Sequence, residues 1–148
     1  MGYRRKGREY ALQALFQMDI STDAFDSVFP LFWEGKDEPQ DIRDFTEKIV
    51  RGVSEHIPML DSILASHAEH WRLNRMAIVD RNILRMAIFE FIFETATPLI
   101  VIIDEAIEIA KKYGSDESGS FINGVLDAVK KKVDNGEIAT QRQGKLQS

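Results

Sequence analysis

The sequence predicts an all-α fold. Apolar residues recur at three- and four-residue steps from Glu9 to Val133, no convincing period-two strand interrupts them, and glycine, proline and small polar residues separate the apolar runs. A chain of 148 residues suffices for one domain with a substantial core. No internal repeat is present.

The elements follow in order. Over 9–20, Ala11, Leu12, Leu15 and Met18 share one side of a first helix. Ser21, Thr22 and Asp23 supply turn and cap chemistry, and Phe25, Val28, Phe29 and Phe32 repeat the helical spacing, although Pro30 weakens that second helix. Residues 34–40 (EGKDEPQ) read as a loop. Asp41 is the expected N-cap of a long third helix whose apolar stripe runs from Ile42 through Phe45, Ile49, Val53, Ile57 and Leu60 to Leu64, bent at Pro58. After a weaker stretch over 67–74, residues 76–93 are apolar nearly all round and belong at the centre of the fold. Thr97 as N-cap and Pro98 as first helical residue announce the next helix, which Gly114 ends. Phe121, Ile122, Val125, Leu126, Val129 and Val133 line a last helix, and the polar tail over 134–148 is expected to be loose. The count is six to seven helices.

Composition narrows the function classes. At 44% hydrophobic and 29% charged residues, the chain is of ordinary globular type. No apolar run reaches the roughly 18 residues of a membrane span, and the basic N-terminus MGYRRKGREY leads into no signal-peptide core. A cytoplasmic protein with no membrane association is expected. The absence of cysteine excludes disulfides, thiolate metal sites and a cysteine nucleophile. The net charge of −5 hides a pattern: residues 1–8 carry +4, residues 130–148 carry +3, and the body over 9–129 carries −12. Such asymmetry fits basic arms acting on a polyanion, and it also fits basic tails that only aid solubility.

Catalytic chemistry finds no anchor. His67 and His70 are neighbours on a helix and His56 lies upstream, yet no third-ligand spacing or HExxH accompanies them, so no metal is expected. Asp104, Glu105 and Glu108 share a helix, a spacing that ordinary solvated helices also show. There is no P-loop, GxGxxG or GxSxG, and neither an enzyme nor a cofactor is expected. The GSDESGS segment over 114–120 reads equally as a phosphate cradle or as a capped interhelical turn. Gly124, inside a helix, implies close packing or ligand access beside Asn123, because glycine there costs about 1 kcal/mol relative to alanine. Extending the first helix backwards puts Arg4 and Arg8 on the side of Leu15. Either the helix overhangs the body or the arm orders only on a partner; both leave the guanidiniums for phosphates and Tyr3 and Tyr10 for stacking on unpaired bases.

Three blocks carry a resemblance: RRKGREYALQALFQMD at the start, DRNILRMAIFEF over 80–91 and DEAIEIAKKYGSDESGSFINGVLD over 104–127. Together they resemble the NusB transcription antitermination family over essentially residues 3–129. The resemblance implies two small three-helix bundles packed into one domain, divided as 1–70 and 71–134 with a loose tail over 135–148. It implies a non-catalytic factor that binds the boxA element of nascent ribosomal-operon RNA as a single strand, together with the ribosomal protein NusE, and helps RNA polymerase resist premature termination. The family's basic motif falls on Arg4, Arg5, Lys6 and Arg8; its FxNGVLD signature places Phe121 and Asn123; its NusE face places Phe16 and Asp80. Tyr3 and Arg75 complete the expected RNA contacts. Two departures stand out: Ser120 occupies a position that is lysine in some members, and Gly7 lowers the helix propensity of the arm. The alternatives are a purely protein-binding adaptor with an acidic body, and an accessory domain of the kind that precedes some ribosomal RNA methyltransferases.

Overall fold

The computed structural model describes residues 2–67 and 76–142. Among them the chain forms α1 (Gly2–Ser21), α2 (Phe25–Phe32), α3 (Gln40–Glu55), α4 (Ile57–His67), α5 (Ile78–Phe93), α6 (Leu99–Tyr113) and α7 (Ser118–Asp134), with no strand among the described residues. Two compact units divide the chain, Met1–His56 and Ile57–Ser148.

In the first unit α1 lies along α3, and α2 packs on both. Its core joins Ala11, Leu12 and Leu15 of α1 to Ile42, Phe45, Ile49 and Val53 of α3 and to Val28, Phe29 and Phe32 of α2. Pro30 is accommodated because α2 is only eight residues long and loses a single internal hydrogen bond to it. Gly7 has a packing role: a Cβ there would stand 2.6 Å from Cδ2 of Phe45. The residue that lowers helix propensity thus lets α1 approach α3, and Thr46 Oγ1 donates to the Gly7 carbonyl at 3.2 Å across the contact.

The expected long third helix is two helices. α3 stops at Glu55, His56 leaves the helical region, and Pro58 sits in the first turn of α4, where its missing N–H costs nothing. Pro39, one residue before α3, takes the cap position expected of Asp41, whose Oδ1 instead accepts the N–H of Ile42 at 2.8 Å from within the first turn. The boundary between units accordingly falls at 56/57 and not at 70/71.

In the second unit α4, α6 and α7 pack on α5, so this unit holds four described helices where three were expected. α5 is buried at almost every residue from Asp80 to Ile92, as its all-round apolar sequence demands. Its buried Arg85 forks onto Asp61 of α4, Nε to Oδ1 and Nη2 to Oδ2, both at 2.8 Å. Pro98, not Thr97, is the N-cap of α6, a shift of one residue. Gly114 ends α6 as expected, and the turn needs glycine there because a Cβ would lie 2.5 Å from Ser118 Oγ and 2.9 Å from the Ala110 carbonyl.

The tail is not loose as far as Arg142. Its guanidinium donates to the carbonyls of Phe91 (2.8 Å), Glu90 (3.2 Å) and Glu94 at the C-terminal end of α5. A cation satisfying the last carbonyls of a helix complements both their lone pairs and the helix dipole. Among the described residues no helix is long and apolar enough to cross a membrane.

Candidate nucleic-acid interface

Arg4, Arg5, Lys6 and Arg8 all stand on α1, which is helical from Gly2. The arm is therefore helical, and it lies against α3 at Phe45 instead of overhanging the body. The conflict of two arginines on the core side is resolved by Phe45: the Arg8 guanidinium lies 5.4 Å from its ring centroid and that of Arg4 5.7 Å. Cation–π attraction stabilises a partly desolvated guanidinium that a purely aliphatic surface would not. Arg8 is only 4% exposed. Its expected contact with phosphate is corrected to a role in seating the arm, while Arg5 and Lys6 are exposed and Arg4 is partly so. Tyr3 is exposed, edge-on to Phe45, and its hydroxyl accepts the Arg4 Nε–H at 3.3 Å.

Tyr10 is engaged inward and is no stacking platform for a base. Its ring meets Trp33 edge-on at 5.2 Å and its hydroxyl donates to Glu38 Oε2. The same oxygen lies 3.1 Å from Lys6 Nζ. Arg43 fixes the loop that carries Glu38 by donating to the carbonyls of Glu38 (3.0 Å) and Lys36 (3.3 Å). The Tyr10 hydrogen bond, then Lys6, hold the Glu38 carboxyl below the usual carboxylate range. Sequence spacing gave no sign of Glu38, because a loop residue reaches α1 only after α3 has packed.

In the second unit Phe121 and Asp80 line one cavity of about 270 Å³ together with Met76, Ser115 and Ser118. The residue expected on the RNA side and the residue expected on the partner side thus meet at one place. Asp80 is 9% exposed, and its Oδ1 has no hydrogen-bond partner among the described residues. Asn123 faces a different groove, of about 390 Å³, with Ile107, Lys111, Gly119 and Ser120. Lys111 brings to this groove the positive charge that Ser120 lacks. Its one signal in the sequence is the four-residue spacing from Ile107, which puts both on one face of α6. Gly124 is exposed, with nothing within 4 Å of a Cβ, which removes close packing as its reason. Phe16, on α1 in the first unit, is 41% exposed.

Among the described residues the remaining candidates do not converge. His56 Nδ1, at the C-cap of α3, meets the Gly52 carbonyl at 2.7 Å, and His67 Nδ1 meets the Ile63 carbonyl of its own helix at 2.8 Å. His70 and Arg75 lie outside the described residues. Glu105 is buried, whereas Glu108 is exposed and 3.5 Å from Lys111 Nζ. The GSDESGS turn is closed by Ser118, whose Oγ accepts the Ser115 N–H at 2.9 Å.

Comparison with known proteins bears on the family and the fold. The model of the NusB family matches residues 5–131. The transcription antitermination protein NusB of Anaeromyxobacter dehalogenans strain 2CP-1 is 46% identical over 127 residues, covering 85% of this chain and 89% of that protein. That of Koribacter versatilis strain Ellin345 is 47% identical, covering 90% and 92%. Among solved structures, T. maritima NusB superposes with a TM-score of 0.79 at 38% identity, covering 87% of this chain and 91% of that one. The antitermination factors NusB and NusE in complex with dsRNA provide a second, with a TM-score of 0.80 at 30% identity, covering 88% and 98%.

Proposed function

This chain belongs to the NusB family, and from that premise we propose that it is a non-catalytic RNA-binding transcription antitermination factor of the cytoplasm. It binds single-stranded boxA-type RNA together with NusE, and the pair acts on RNA polymerase to suppress premature termination. The observation that carries the RNA reading is the ordered basic arm: Arg4, Arg5 and Lys6 on the first two turns of α1, seated by Arg8 on Phe45. Phosphate contacts of this kind position RNA without reading it. Tyr3, Phe121 and Asn123 supply rings and amide groups that can meet bases, Lys111 adds charge beside Asn123, and Arg75 is carried over from the family pattern alone.

The protein-binding half of the proposal is supported by Phe16, a large aromatic left half out of the core on α1. Exposed aromatics of this size are common anchors of interfaces. Asp80 is proposed to face the same partner through its cavity, where an incoming donor would satisfy a carboxylate oxygen that has none among the described residues. The acidic body favours a basic protein electrostatically.

The test is a titration of boxA-type RNA against salt, using the wild type and a variant with Arg4, Arg5 and Lys6 all changed to alanine. Neutralising about three phosphates of a single strand contributes a log–log slope near −2, which the variant should lose. An unchanged slope would leave only the protein-binding reading.

A further inference from the structure

We propose that Glu38 plugs the basic arm by holding Lys6, and that a backbone phosphate must draw the lysine off this carboxylate to bind it. The inference rests on the RNA reading above and names a residue that sets the affinity of that same site. Three observations carry it. First, one carboxylate oxygen, Glu38 Oε2, receives both the Lys6 ammonium at 3.1 Å and the Tyr10 hydroxyl, a cation and a neutral donor converging as they would on a phosphate oxygen. Second, the carrier is held in place: Arg43 donates to two carbonyls of the loop and its guanidinium lies 5.5 Å from the Trp33 ring centroid, so Glu38 is presented by a stapled segment. Third, the plug is asymmetric. The Glu38 side chain is 10% exposed beneath a Lys6 side chain that is 54% exposed, so the lysine can swing outward to a phosphate while the carboxylate stays behind.

The consequence is a cost subtracted from every phosphate contact that Lys6 makes. An RNA that also engages Arg4 and Arg5 overcomes it, whereas a small anion offering one contact does not. Glu38 therefore biases the arm towards polyanions. When Lys6 leaves, the Glu38 charge loses its neutralising partner and regains a counterion, which partly cancels the counterion released from the RNA and flattens the salt dependence.

The experiment compares wild type, Glu38→Gln, Lys6→Met and the double variant in titrations of the boxA-type RNA at several salt concentrations, with helix content checked by circular dichroism. Glutamine keeps an acceptor for Tyr10 and removes the charge. Glu38→Gln is expected to bind about two- to fivefold more tightly at low salt, the range corresponding to an exposed ion pair, with a slope steeper by about 0.7. Both effects should vanish in the Lys6→Met background. Unchanged affinity and slope in Glu38→Gln, or an equal gain in the presence and absence of Lys6, overturns the plug, the second result showing that Glu38 acts only through its diffuse charge. Failure of the RNA reading itself is seen separately, as a wild-type slope in the variant lacking Arg4, Arg5 and Lys6, and it removes the plug as well.

Discussion

The ring of Phe45 occupies the space that a side chain on Gly7 would need, with Cδ2 standing 2.6 Å from the position of a Cβ. That contact lets the backbone of α1 come close enough for Thr46 to bond the Gly7 carbonyl and for Arg8 to lie over the same ring. Replacement of Gly7 by alanine should destabilise the protein by about 1–3 kcal/mol, the usual range for overpacking, even though alanine is the better helix former. Urea unfolding of the variant measures this, and a stabilised variant would contradict the contact.

Gly124 predicts the opposite sign. It lies inside α7, is exposed and meets nothing within 4 Å of a Cβ, so alanine gains helix propensity without a clash. Gly124→Ala should be more stable by about 1 kcal/mol. A destabilised variant would show that the helix face is less open than the geometry indicates.

The forked pair of Arg85 and Asp61 ties α5 to α4. Arg85 is buried and Asp61 partly exposed, so removing the carboxylate leaves a guanidinium short of partners in a desolvated place. Asp61→Ala should cost about 2–4 kcal/mol, somewhat below the full range for a wholly buried pair. Asp61→Asn, which keeps one acceptor, should cost less. Chemical denaturation of the two variants side by side tests the order.

Acid should weaken the protein partly through Glu38. Its carboxyl titrates below the ordinary range in the folded state, because of Tyr10 and then Lys6. The corresponding stabilisation is complete above the unfolded value of about 4.3 and is lost as pH falls through the lower folded value. The stability difference between wild type and Glu38→Gln should thus be constant above about pH 6 and shrink on acidification below about pH 4. Unfolding curves collected across that window check the sign, and a difference that grows in acid would refute it.

At the end of α5, Arg142 donates to three carbonyls across some fifty positions of sequence. Arg142→Ala should lower stability by about 1–2 kcal/mol by removing a charged donor from these carbonyls, of which that of Glu90 keeps the N–H of Glu94. Hydrogen exchange should show the last turn of α5 opening more readily than in the wild type. Unaltered exchange there would mean that the docked tail contributes nothing to α5.

Helix identity was legible because it depends on neighbours three and four residues apart, a distance the sequence displays directly. The all-round apolar run of α5 followed from that spacing, and the stop at Gly114 from the place of glycine at helix ends. The position of Pro58 was misjudged because a proline that bends a helix and one that begins the next give the same local pattern. The three blocks of family resemblance and the basic arm were also visible before any fold was known. The sequence by itself determined which segments are helices, that positive charge gathers at the start of α1, and the family to which the chain belongs. Only the tertiary structure decided that Arg8 turns inward onto Phe45, that Glu38 reaches back to Lys6 and Tyr10, and that Phe121 shares a cavity with Asp80. These contacts join residues some thirty to forty positions apart, and periodicity holds no information about them. They arise from how closely α1 approaches α3, and the α6–α7 turn approaches α5, a distance set by packing volume at places such as Gly7 and Gly114.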